Sequence, residues 1–142
     1  MSGAGYDSPE AAEAAFYDAF ERRDIDAMTN VWDHDAEVSC VHPGGPRLDD
    51  IDVILDSWRA IFEGGQRLRF ERVGVALTAG ADVAVCCLHE VIRFGERFEQ
   101  QGTVVATNVY RRTERGWRMV IHHASPDPDG ITESMPERET VH

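Results

Sequence analysis

Four β-rich runs follow one another through the second half of this chain, and they restrict its fold more than any other feature. Residues 67–77, 81–94, 97–112 and 117–124 are rich in valine, threonine and aromatics. Thr78-Ala79-Gly80, Gly95-Glu96 and Glu114-Arg115-Gly116 separate them, and turn residues between β-branched runs mark strand ends. Links this short join neighbouring strands that run in opposite directions, so an antiparallel meander is expected.

The first half reads differently. Ser8-Pro9-Glu10 is a helix start, with a capping hydroxyl, proline at the first helical position and an acid in the first turn. Ala12, Ala15, Phe16, Ala19 and Phe20 then recur at spacings of three and four, the stripe of an amphipathic helix. Asp24 restarts a shorter helix carrying Ile25, Met28 and Trp32. A strand-like stretch at 37–42 breaks at Pro43-Gly44-Gly45, and a third helix from about Asp50 bears Ile51, Ile54, Leu55, Trp58, Ile61 and Phe62 before Gly64-Gly65 stops it. Three helices packed over one face of a curved antiparallel sheet make an α+β domain.

At 142 residues the chain has the length of one domain. We read residues 1–7 as a flexible N-terminus, 8–126 as the domain and 127–142 as an acidic, flexible tail. Twenty-six acids against 14 bases give a formal charge of −12, which repels nucleic-acid backbones and anionic membranes. Every basic side chain is arginine, a composition that fits a GC-rich or salt-adapted genome. Val83 to Leu88 is the longest clean apolar stretch, far below the roughly 20 residues of a membrane span. Cys40, Cys86 and Cys87 form no disulfide framework, which with the lack of a secretory pattern implies a reduced, cytoplasmic setting.

Chemistry-bearing residues gather at strand ends. His122 and His123 close the last strand, and His42 stands where an early strand meets Pro43. Histidine changes protonation near neutral pH more readily than any other side chain. Adjacent strand residues face opposite sides, so one of His122 and His123 looks toward any pocket under the helices.

The order of elements, with Phe16, Asp24-Ile25-Asp26, Val31-Trp32-Asp33, His42-Pro43-Gly44, Ser57-Trp58, Ala106-Thr107-Asn108-Val109-Tyr110 and Gly116-Trp117 through His123-Ala124-Ser125, resembles the nuclear transport factor 2-like superfamily in its SnoaL-like branch. The resemblance implies a cone whose sheet and helices enclose an apolar pocket, and a homodimer formed through the sheet. It does not imply a single activity, because the superfamily holds isomerases, dehydratases and non-catalytic assembly domains. Ketosteroid isomerase roles would fall on His42 or Cys40, on Phe16 with Tyr17 out of phase, and on Asn108; none is the expected residue. The arginines of kinase hub domains would map to Asn108 and Ala124, so that anion pocket is also missing. Dioxygenase small subunits are a looser match.

Carried onto this chain, the family geometry turns His42, Cys40 and Asn108 inward, with Val120, His122 and Ala124 inward on the last strand. A bulge there would exchange His122 and His123, so both stay candidates. Pairing about Gly95-Glu96 would bring Cys87 and His89 to the face of Asn108. Phe16, Trp32, Trp58 and Phe62 would wall the pocket. In that arrangement His42 is the candidate base, Asn108 a neutral donor to a developing oxyanion and His122 the partner acid, a set suited to proton abstraction beside a carbonyl or to dehydration. No CxxC or HxxxH pair points to a metal, and no cofactor is implied. Two readings follow: a binder or lyase/isomerase of a small apolar or carbonyl-containing metabolite, and a non-catalytic dimerisation or assembly module.

Overall fold

The computed structural model describes residues 5–129. Ser8 caps the first helix by accepting from the Ala11 amide at 3.1 Å, and α1 runs Pro9–Arg22. Arg23 then adopts a left-handed conformation and Asp24 caps α2 (Ile25–Val31) from the Ala27 amide at 3.0 Å. Asp50 caps α3 (Ile51–Glu63) from the Asp52 amide at 2.8 Å. Each cap is one the sequence announces, because a short polar side chain relieves helical N–H groups that have no carbonyl partner.

The strands are β1 (Ser39–Val41), β2 (Arg47–Leu48), β3 (Arg69–Ala79), β4 (Val83–Phe94), β5 (Gln100–Thr113) and β6 (Gly116–Pro126). They form one sheet in the order β2-β1-β6-β5-β4-β3. The long strands are the expected meander, but the sheet is mixed, because β1 lies parallel to β6. No hairpin joins those two strands; the whole meander and α3 separate them, so no tight turn forces opposite directions. The sheet is open rather than closed into a barrel.

Two irregularities shape it. In β3 the register shifts between Val73 and Ala76, where Gly74 takes a positive φ of 64°. In β6 Val109 pairs with Ile121 but Tyr110 pairs with Met119, which makes Val120 the extra residue of a bulge. The core lies between the helices and the inner sheet face, with Phe16, Met28, Trp32, Ile54, Trp58, Tyr110 and Met119 fully buried.

At the N-terminus, Gly5 donates to the Arg115 carbonyl and Tyr6 bridges to Trp117, so this part of the expected flexible segment is held against β6. The Asp127 amide donates to the Thr103 carbonyl at 3.1 Å, and the rest of the acidic tail from residue 130 lies outside the described residues. Among the described residues, no helix is long and apolar enough to cross a membrane.

Candidate functional site

Strand pairing decides which side chains meet beneath the helices. Cys86 pairs with Asn108, which pairs in turn with His122, which pairs with Cys40. Directly opposed residues share a face, so these four line up across β4, β5, β6 and β1. Cys40, Cys86 and Asn108 are fully buried and His122 is 1% exposed. The β6 bulge lies before His122, at Val120, so it leaves His122 inward and His123 on the exposed outer face.

A hydrogen-bonded chain runs through this row. Glu13, reaching in from α1, accepts from Tyr110 Oη and, at 3.1 Å, from Asn108 Nδ2. Its other oxygen accepts from Cys86 Sγ at 3.0 Å and stands 3.7 Å from Arg72 Nη1. Asn108 Nδ2 also donates to Tyr17 Oη at 3.1 Å, and Tyr17 donates to Glu90 Oε2 at 2.5 Å. With both amide hydrogens of Asn108 engaged, its Oδ1 is left to accept, and His122 Nδ1 lies 2.6 Å from it. The proton therefore sits on Nδ1, and Nε2 is the bare, basic nitrogen of His122.

Burial sets the protonation of these groups. Desolvation, aided by His42 and His123, lowers the His122 pKa to about 3, so the ring is neutral at pH 7. Desolvation outweighs the Tyr17 hydrogen bond at Glu90 and lifts that carboxyl to about 7. Tyr17 and Tyr110 are pushed above the usual phenol value, mainly by burial and then by Glu90 and Glu13 respectively. Burial also raises both inner thiols, Cys40 and Cys86, to about 12, which removes them as nucleophiles near neutrality.

His42 stands at the half-buried edge of the same cluster. Ser57 Oγ gives its proton to the Ile54 carbonyl at 2.6 Å, so it accepts from His42 Nε2 at 2.9 Å. That leaves His42 Nδ1 bare, and burial lowers the pKa of this ring as well. The His42 ring meets Trp58 edge-on with centroids 4.7 Å apart, and lies 6.5 Å from the His122 ring. Phe16 packs 4.8 Å from His122 and 5.6 Å from Trp58. The indole N–H of Trp58 is buried with no acceptor, a condition that costs about 1–3 kcal/mol.

Comparison with known proteins fixes the family. The model of the SnoaL-like domain matches residues 10–128. The chain belongs to that family. Among solved structures, this SnoaL-like domain is 39% identical to a candidate calcium/calmodulin-dependent protein kinase type II association domain from Thiobacillus denitrificans, with a TM-score of 0.78 over 88% of this chain and 99% of that one. It is 34% identical to a candidate dehydratase of the NTF2-like family from Streptomyces avermitilis, with a TM-score of 0.74 over 82% and 92% of the two chains. A curated relative, the F-box protein SKIP8 of Arabidopsis thaliana, is 24% identical over 110 residues, 78% of this chain. The chain spans 46% of the length of SKIP8.

Within the SnoaL-like domain several expected site residues change place. Cys87 and His89 lie on the outer face: Cys87 opposes Thr107, and His89 is 48% exposed beside Asp127 at 3.5 Å. The reason is the loop 95–99, longer than the two-residue turn expected there; Phe94 pairs with Gln100, and the added residues invert the parity of β4 against β5. His123 shares that outer face, and Val120 is the bulged residue, partly buried against the core. Trp32 is buried beyond the bulge at the bridge to Met119, while Phe62 packs on Trp58 at 5.9 Å.

Two chemical roles also change. Asn108 has no free N–H for an oxyanion, because both hydrogens serve Glu13 and Tyr17. His122, held neutral with its ring proton committed to Asn108, has no proton on Nε2 to give as the partner acid. Glu13, Tyr17, Cys86, Glu90 and Tyr110 were outside the expected site, although Glu13 falls three and four residues before Phe16 and Tyr17, within the inward stripe of α1. Clefts of about 550, 300 and 200 Å³ open on the described surface. None of these three has His42, Asn108 or His122 in its wall. Among the described residues, no three His, Cys, Asp or Glu side chains are grouped to hold a metal ion.

Proposed function

We propose that this SnoaL-like domain binds a small, uncharged, carbonyl-containing metabolite at the His42–Trp58–His122 cluster. One observation carries the reading: an imidazole kept neutral, with Nε2 bare, shares an aromatic cluster with a buried indole N–H that has no acceptor. A ligand carbonyl would accept from Trp58 while a ligand C–H or O–H faced an imidazole nitrogen. Trp58 is fully buried and His122 only 1% exposed, so a ligand reaches them only as half-buried His42, beside the turn through Gly44 with its positive φ of 76°, moves aside.

The chemistry that suits this set is general-base chemistry with half-buried His42 as the base, because His122, with its pKa at about 3, is too weakly basic near neutral pH. In a dehydration, the imidazole takes a proton beside the carbonyl and a carbon–carbon double bond forms. The β-hydroxyl leaves as water, carrying the proton returned by the imidazolium. The likeness to the Streptomyces candidate dehydratase favours this over isomerisation. Glu13 and Asn108 hold the His122 tautomer throughout. The test is calorimetric titration with a panel of neutral β-hydroxy carbonyl compounds against the parent, His122→Asn and His42→Ala. Saturable binding lost in both variants supports the site; binding unchanged in folded variants removes it.

A second reading concerns assembly, and one observation favours it. Val73, Val83 and Val85 are 37–49% exposed on the outer face of β3 and β4, an apolar surface of the kind that a partner covers. The same strands carry Cys87 and His89 outward, beside Thr107 and His123 on β5 and β6. We place a homodimer contact there, in a cytoplasmic protein, and the candidate association domain from Thiobacillus denitrificans is in keeping with it. Sedimentation velocity of the parent against Val85→Arg is the test: a dimer that becomes a monomer supports the contact, and an unchanged species removes it.

A further inference from the structure

The cleft of about 550 Å³ shares no lining residue with the histidine cluster and lies at the end of the sheet where the β5–β6 hairpin rises beside the segment that follows α2. Its wall comprises Arg111, Arg112, Thr113, Glu114, Arg115 and Arg118 from the hairpin, with Asp33, His34 and Asp35 opposite. The chain as a whole has 14 basic residues against 26 acidic ones. In this wall the proportion is reversed, with four guanidiniums against three carboxyl groups. Nothing in the His122 chemistry uses them.

The arginines are built in. Arg111 and Arg118 oppose each other directly across β5 and β6, a like-charge pairing that a sheet avoids unless something gathers the charges. Asp33, only 2% exposed, holds Arg111 through Nε and Nη2, each 3.1 Å from its Oδ2. Asp33 is itself held by the Asp35 amide, which donates to its Oδ1 at 2.8 Å. His34 Nε2 lies 2.9 Å from the Thr29 carbonyl, tying down the same segment. Arg118, 5% exposed, donates to the Asn30 carbonyl at 2.5 Å. With Nε and Nη2 on Asp33, Arg111 keeps its third nitrogen for the cleft, and its side chain remains 45% exposed. A guanidinium fixed in this way loses little freedom when it grips an oxyanion, and it does so through paired, charge-assisted hydrogen bonds.

We propose that this cleft is a second ligand site, separate from the histidine cluster, for a small multiply charged oxyanion bearing phosphate or carboxylate groups. Its volume falls in the usual range for small-molecule sites. Its wall is charged rather than apolar, which selects a polar anion over the neutral metabolite of the inner site. The acidic remainder of the protein repels anions elsewhere, so the cleft is where they would collect.

The experiment is calorimetric titration of the full chain with inorganic pyrophosphate and, separately, with citrate, at low and high salt. The parent and Arg112→Ala/Arg115→Ala are compared, because both side chains are exposed and their loss leaves the Asp33–Arg111 support intact. Saturable binding of either probe, weakened at least about tenfold in the double variant and several-fold by added salt, is expected. Pyrophosphate alone binding identifies a phosphate ligand, and citrate alone a carboxylate ligand. Absence of saturable binding by both probes, or equal binding by parent and variant, overturns the proposal.

Discussion

The two faces of this sheet depart from the usual arrangement at a few positions, in opposite senses. An antiparallel sheet with one covered face normally puts apolar residues inside and polar ones outside. Here the inner face holds Glu90, Asn108 and His122, with Glu13 reaching down from α1, each no more than 2% exposed, while the outer face carries Val73, Val83 and Val85 at 37–49% exposure. The inner polar groups answer one another by hydrogen bonds, which is the condition for keeping them in a core. The outer valines have no such answer within the chain. The contrast teaches that the inner face is organised to orient a particular imidazole, and the outer face to meet another surface.

Breaking the inner network should have the largest effect. Glu13→Leu leaves Tyr110, Asn108 and Cys86 without their acceptor, and is expected to lose about 3 kcal/mol or more of unfolding free energy. Glu13→Gln keeps an acceptor oxygen and should lose less than half as much, as urea denaturation would read. On the outer face the expected change is in association rather than folding: Val83→Arg with Val85→Arg should weaken self-association at least about a hundredfold, measured by sedimentation. If the double variant unfolds instead, the two faces do not divide the work in this way.

Acid and base should act on the inner face in opposite directions. Glu90 has its pKa raised from 4.5 to about 7, so its contribution is complete below about 4.5 and is lost as pH rises through 7. His122 has its pKa lowered from 6.5 to about 3, so its contribution is complete above 6.5 and is lost as pH falls toward 3. Glu90→Gln should therefore gain on the parent between pH 5 and 8, by on the order of 2 kcal/mol, without moving the acid limb. Thermal melts across pH would show it, and parallel curves for the two proteins would sink it. The smallest effect expected is that of Trp58→Phe. Removing an indole N–H that has no acceptor relieves about 1–3 kcal/mol, and the cavity left at this fully buried position costs about as much. The net change in stability should be no more than about 1 kcal/mol, while a ligand that uses that donor should bind about tenfold more weakly.

Much of the fold was legible because its signals are local. Ser8, Asp24 and Asp50 each announce a helix, and the short links between the long strands announce a meander. The parallel pairing of β1 with β6 was not legible, since no local turn connects those strands. The placement of His122 and Asn108 survived translation from sequence because strand parity along β6 holds past the Val120 bulge. Cys87 and His89 went to the wrong face for the complementary reason: parity across a hairpin depends on the loop count, and the loop 95–99 holds more residues than its turn signal suggested. Glu13 and Glu90 carry no local signal of burial, because charged residues seldom lie in a core, although both fall in phase with buried neighbours. The aromatics that pack the cluster could be named, but not the closeness with which Phe16 and Trp58 fill the space beside His122, which arises from tertiary packing.

The most direct test of the inner site is side-chain NMR of the isotopically labelled protein, following the Trp58 indole N–H and the ring nitrogens of His122 during addition of neutral β-hydroxy carbonyl compounds. A proton on His122 Nδ1 in the free protein is expected, followed by a downfield shift of the Trp58 N–H and a perturbed Nε2 on binding. A free protein with its proton on Nε2, or no compound in the panel that moves either resonance, would contradict the inner face as the ligand site.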